Sequence, residues 1–336
     1  MTLRLHHCIL GGALFSACQQ PGSSTDSSEQ DSTGGEEEEA GDELDTGGSP
    51  QSGEGRIVFH RYSSYDAWDS VLLMVDLADH SLTEISEDWD IDHAMNAHFS
   101  PDGSLLVFMG DQRGGDRDWD VFLWTIGSSE APQNLTQDWG SRDEDPKFTP
   151  DGTILCKSDY DLIELDTTGS VLTRLTSDGA DIEQSMPFAT GDGTGVIYAQ
   201  GAGESSDLYV IGRDGTGNTL VQGIEDVQEY YPVARDAETY LFTRWVSTSN
   251  LHDQVYLGYS DGAPAQSLPL NDSSSNESDA YPYGPDSIFL SSTRSGGAGG
   301  YDLYMAAIDS ESVVSLSEWS PEINTPLNEL GVAFSW

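Results

Sequence analysis

Three aspartates spaced two apart, Asp116, Asp118 and Asp120, lie in "RGGDRDWD", a glycine-rich run that also carries Arg113 and Arg117. Alternating carboxylates can hold a divalent cation, and glycines with arginines can cradle phosphate. A phosphate cradle also needs a strand–loop–helix setting and a following Gly-Lys-Ser/Thr, and this stretch has neither. A second alternating run, "DWDID", offers Asp88, Asp90 and Asp92 as candidate Ca2+ ligands, without the glycine and distal glutamate of a complete calcium loop. His93 and His98 are five apart with no glutamate placed between them as a metalloprotease helix requires. No Gly-x-Ser-x-Gly elbow occurs. The sequence names no catalytic residue and no cofactor beyond that Ca2+ candidate, so a non-enzymatic chain is expected.

Charge narrows the partners. The 336 residues include 59 acids and 13 bases, a formal charge of −46, and the only lysines are Lys147 and Lys157. Such a field repels nucleic acid and anionic lipid and favours cationic partners. Residues 56–336 hold 48 of the acids and 12 of the bases, so this part alone carries −36.

The first residues read as a targeting segment. Arg4 precedes a short apolar run, "CILGGALFSA", that cannot span a bilayer. "LFSAC" resembles a bacterial lipobox, with Phe15 where leucine is usual. The resemblance implies a signal peptide over 1–17 and lipidation of Cys18; Gln19 after it implies outer-membrane sorting. Residues 18–55 hold eleven acids and no base, a composition that predicts a disordered, self-repelling tether. Cys156, in the apolar run "GTILCKS", is expected to be a small buried hydrophobe.

The elements that position these residues come from a repeat. "AHFSPDG" begins at Ala97, "PKFTPDG" at Pro146, "PFATGDG" at Pro187, "PVARDAE" at Pro232, "PYGPD" at Pro282 and "VAFSW" at Val332, at intervals of 49, 41, 45, 50 and 50 residues. Each turn is followed by a β-rich run, a variable loop and a strand headed by Asp120, Asp161, Asp207 or Asp302, with Gln254 in the fifth copy. Short apolar runs without helical period, repeating every 40–50 residues, predict four-stranded antiparallel blades. The repeated aspartates are expected to cap backbone amides, which gives Asp120 a structural role. "RIVFHR" reads as a second strand and "VLLMVDL" as a third. "LGVAFSW" is then a lone first strand that completes their blade and closes a ring of six.

These motifs resemble the WD-like propeller repeat of the TolB family over residues 56–336. The resemblance implies an all-β fold, a six-bladed β-propeller of four-stranded antiparallel blades with N/C-terminal strand closure. Taken with the lipobox, it leads to the expectation of a lipoprotein of the bacterial envelope, facing periplasm or cell surface, that binds another envelope protein, a peptide or a glycan. The chain is expected to be monomeric and to meet the membrane through its lipid alone. A propeller-type polysaccharide lyase or hydrolase is the alternative, and a surface protein without a specific ligand is another. Three places before the repeat anchors stand Asp143, Glu229, Asp279 and Glu329, with Gln184 and Ala94 in the other copies. Innermost strands line a propeller axis, so these acids are expected to gather at one channel mouth and attract a cation or a basic segment.

Overall fold

The computed structural model describes residues 55–112, 118–202 and 205–336. Cys18, the tether up to residue 54, and Arg113 to Arg117 with Asp116 lie outside the described residues.

Among the described residues there are six four-stranded antiparallel sheets and three short 3-10 turns. Five blades are continuous in sequence, with innermost strands Ile91–Phe99, Asp143–Phe148, Glu183–Ala189, Glu229–Ala234 and Glu277–Tyr283 for blades 2 to 6. Blade 1 is composite: Asn328–Ser335 pairs antiparallel with Arg56–Tyr62, which continues into Val71–Asp76 and Leu82–Glu84. This is the expected closure. The register runs from Arg56 opposite Ser335 to Tyr62 opposite Asn328.

The recurring turn has a simple chemistry. In the second blade Asp102 Oδ1 accepts from the Ser104 amide (3.1 Å) and the Ser100 hydroxyl (2.6 Å), while Gly103 takes φ +67°. Asp192 and Gly193 repeat it in the fourth blade. Aspartate mimics a backbone acceptor, and glycine tolerates the left-handed angle.

A second device recurs at the head of the third strands. The amide after the head residue donates to a side chain entering the next blade: Leu72 to Ser86, Val121 to Thr136, Leu162 to Thr176, Val255 to Asn271 and Leu303 to Asn324, all at 2.8–3.0 Å. Asp120 accepts from Asn134 and Thr136, Asp161 from the amides of Asp178 and Gly179, and Asp302 from the amide of Ala298. Asp207 instead meets the Glu229 carboxyl. Three of the four repeated aspartates thus bind groups of the neighbouring turns and linkers.

Apolar clusters fill the gaps between blades. Ile57, Phe59, Val75, Phe289, Leu303 and Val332 bridge blades 6 and 1. Val107, Val121, Phe148 and Ile154 bridge blades 2 and 3, together with buried Cys156.

Candidate functional site: an axial funnel

Besides His93 (φ 57°) in blade 2, each innermost strand contains a residue in the left-handed region at one equivalent place: Asn96 (φ 53°), Asp145 (52°), Met186 (53°), Tyr231 (49°), Asp279 (52°) and Gly331 (65°). Each lies at a break in strand register. Such a bulge re-aims side chains, and all six residues line a cavity on the propeller axis.

Two residues further along lies a second layer. His98, Phe188 and Tyr281, from blades 2, 4 and 6, meet across the axis with ring centroids 5.4–6.5 Å apart. His98 Nδ1 accepts from the Phe148 amide (3.1 Å), which leaves Nε2 to carry the proton toward the Tyr281 hydroxyl (3.1 Å). These rings form the floor of a blind funnel. The cavity above measures about 50 Å³, room for a few waters at roughly 10–15 Å³ per site.

The funnel's charge comes from two opposite blades, 3 and 6. Asn96 donates to Asp145 Oδ1 (2.7 Å), and Asp279 Oδ2 accepts from the Gly331 amide (3.3 Å). Lys147, from the second layer, donates to the Asn96 carbonyl (3.3 Å). Burial pushes Asp279 up to about 6, with Lys147 opposing. Burial and neighbouring Glu144 raise Asp145; burial lowers Lys147 against the pull of both aspartates. His60 and His98 are pushed down to about 3, chiefly by burial, and are neutral at physiological pH. Beside the funnel Asp253 accepts from the hydroxyls of Tyr230 and Tyr301, and burial lifts it to about 7. Two wall carboxylates face one ammonium, within a domain of −36. The arrangement suits a small cationic group better than an anionic one.

The expected ring of acids divides. Asp143, Glu229 and Glu329 are completely buried and do not line the cavity. Ser141 donates to Asp143 (3.0 Å), Arg244 to Glu229 (2.8 Å), and Arg61 and Thr325 to Glu329 (2.7 and 2.6 Å). Asp279 belongs to the funnel, two residues out of phase with the other three. The counterpart of Asp143, Glu229 and Glu329 in the sixth blade is Glu277, also fully buried and bound by Ser275, Ser292 and Arg294. The sequence alignment slipped because Pro282 imitates the anchor proline. The structural anchor is Ala280, four residues before the turn at Gly284, just as Ala97 stands four before Pro101.

Asp88 and Asp90 stand exposed in the turn before the second blade, and Asp92 begins its innermost strand opposite Asp111. Their alternation follows from Trp89, which turns inward to stack on Phe108 and meet Trp124. Among the described residues no group of three or more His, Cys, Asp or Glu is placed to hold a metal.

No family model matches the sequence, and no curated protein matches it. Solved structures do. TolB from Acinetobacter baumannii is 16% identical with a TM-score of 0.63, covering 85% of this chain and 67% of that one. A TolB candidate from Agrobacterium tumefaciens is 15% identical with a TM-score of 0.54, covering 79% and 89%. Hydrazine synthase from Kuenenia stuttgartiensis is 13% identical with a TM-score of 0.65, covering 84% of this chain and 46% of the enzyme chain. At these identities the likeness is one of fold. The chain is a six-bladed β-propeller similar to those of TolB proteins, on an architecture that also occurs in an enzyme.

Proposed function

We propose that this chain is a lipid-anchored protein of the bacterial envelope, held through Cys18 and its acidic tether, whose propeller binds a partner without catalysis. The ligand is a basic segment of a protein or peptide that places an ammonium or guanidinium in the axial funnel. One observation carries the reading: Asp145 and Asp279, from blades 3 and 6, line one largely apolar cavity in which Lys147 is the one lysine or arginine. The same field opposes an anionic polysaccharide, so a uronide lyase is the weaker reading.

Cross-linked capture from an envelope fraction, followed by titration of a lysine-rich peptide into the purified domain, tests this. Asp145→Asn/Asp279→Asn should lose most of the captured partner and weaken the peptide about tenfold or more, as desolvated charge pairs do. Unchanged binding in that variant refutes the funnel as the site. An ultraviolet-absorbing product from uronide polymers would establish the lyase in its place.

A further inference from the structure

The repeat also shows where a side chain is missing. Three residues after each left-handed residue the innermost strand turns a side chain toward the preceding blade. Phe99, Phe148 and Phe334 hold this position in blades 2, 3 and 1, opposite Leu106, Ile154 and Ile57 of the second strand. Phe148 packs in the cluster of Val107 and Val121 from blade 2. Phe99 packs with Val58 and Leu72 of blade 1. Blade 5 has Ala234 there, opposite Tyr240; blade 6 has Pro282 and blade 4 has Ala189, which packs with Leu155, Leu162 and Leu175 of blade 3.

Around Ala234 the blade 4–5 interface is open, beside the packed cluster of Met186, Tyr230 and Phe242. A groove of about 430 Å³ opens between the two blades, walled by Ile197, Val210, Val221, Ala234 and Tyr240. By register Ile197 is the counterpart of Val107, so the groove includes the wall against which Phe148 packs elsewhere. The two turns that border it touch at Gly191, where a Cβ would come within 1.9 Å of the Asp236 carbonyl. Tyr240 is 95% buried, and its hydroxyl has no hydrogen-bond partner of normal geometry, although the Gln222 amide is near enough to influence it. Buried hydroxyls are nearly always satisfied, and the groove sets an apolar wall of Ile197, Val210 and Val221 beside polar side chains of its two turns.

The rim gives the guest a sign. Asp192 and Asp236 are both exposed and border the groove, and no lysine or arginine lines it. Arg235 reaches Asp236 at 3.4 Å but also bonds outward to the Pro285 carbonyl.

We propose that the blade 4–5 groove is a binding site for a small arylalkyl cation, its ring in the space that phenylalanine fills at other blade interfaces and its ammonium at the Asp192–Asp236 rim. This site is separate from the axial funnel, and its fate does not depend on that reading.

Calorimetric titration of the folded domain with phenethylammonium tests it. One saturable site is expected, with Kd in the millimolar range, the order for a ligand of about nine heavy atoms. Phenylacetate should bind at least about tenfold more weakly, since the rim repels it, and butylammonium should give no saturation. Ala234→Phe restores the ring seen in other blades and should abolish binding while keeping or raising the melting temperature. Asp192→Asn/Asp236→Asn keeps the acceptor oxygen each turn uses, so it is the second arm if Ala234→Phe misfolds. It should weaken phenethylammonium about three- to tenfold, as expected for two exposed ion pairs. No saturation up to about 20 mM, phenylacetate binding as tightly, or undiminished affinity in the variants would each overturn the proposal.

Discussion

The closing strand makes the strongest demand on the structure. Deleting Leu330 to Trp336 removes Leu330, Val332 and the half-buried Phe334 from the blade 1 interface. At about 1.5–3 kcal/mol per large side chain, this alone forfeits roughly 5–8 kcal/mol. The cut also strips the ladder from one edge of Arg56–Tyr62 and opens one side of Ile57, Val58 and Phe59, none of which is exposed in the intact ring. Domain stabilities lie at about 5–15 kcal/mol, and a domain this large shifts by about 2–4 °C per kcal/mol. The truncated chain should therefore melt at least about 10–25 °C lower, or show no cooperative transition, by near-ultraviolet circular dichroism and urea titration. A synthetic Asn328–Trp336 peptide added in trans should restore part of the loss. A truncated chain melting within about 3 °C of the parent would show that this strand contributes little, and the ring argument would fail.

Three further outcomes follow from particular contacts. Gly331→Ala should cost about 2–4 kcal/mol in urea unfolding, because its Cβ would sit 2.5 Å from His60 Cε1 as well as at φ +65°; in His60→Ala the same change should cost about 1 kcal/mol less or better, and equal costs would rule out the clash. Thr136→Val removes the acceptor for the Val121 amide and a donor to Asp120, so a loss of about 1–3 kcal/mol is expected from denaturant midpoints, and a neutral change would deny the latch its role. Burial lifts Asp143, Glu229 and Asp253 to about 7 and Asp279 to about 6, so the folded state holds protons that the unfolded chain releases. Stability should accordingly rise as pH falls from 8 toward 6.5, and be lost as pH rises through those folded values. Below about 6.5 the neutral His60 and His98, held near 3, offset about two of the four carboxyls, so the urea midpoint should go on rising toward pH 5, less steeply than the carboxyls alone would give. A midpoint that instead climbs from pH 6.5 to 8 contradicts the placement of these carboxyls.

Much of the ring was legible because its signals are local. Asp102 and Gly103 mark a turn by their own chemistry, and Asp120, Asp161, Asp207 and Asp302 recur in four of the six third strands, so the repeat can be followed along the chain. The site was less legible because it depends on bulges. A residue slipped by one changes the face its side chain takes, and nothing in "RDEDPKF" says that Asp145 turns to the axis while Asp143 turns between blades. Pro282 imitates the anchor proline two residues out of step, which puts Asp279 where Glu277 belongs in the repeat. The floor was out of reach altogether: His98, Phe188 and Tyr281 are dozens of residues apart and meet because alternate blades converge on the axis.

Departures from a repeat therefore carry more information than the repeat. Five blades put a side chain at the left-handed position, and the sixth has Gly331 because His60 occupies the space a Cβ needs. The second layer is aromatic in three blades and apolar in two, and in the remaining one it is Lys147, which places a charge where the fold would accept a hydrocarbon. Burying a lysine is costly, and it is tolerated here only through Asp145, Asp279 and the Asn96 carbonyl. Lys147→Met removes one partner of this cluster and leaves Asp145 and Asp279 uncompensated, so a loss of about 3–5 kcal/mol is expected in urea unfolding. With Lys147 gone, the two aspartates lose their internal cation, and the funnel should bind the lysine-rich peptide more tightly than the parent does. Weaker binding in Lys147→Met would mean that the ligand is recognised through the lysine and is not cationic.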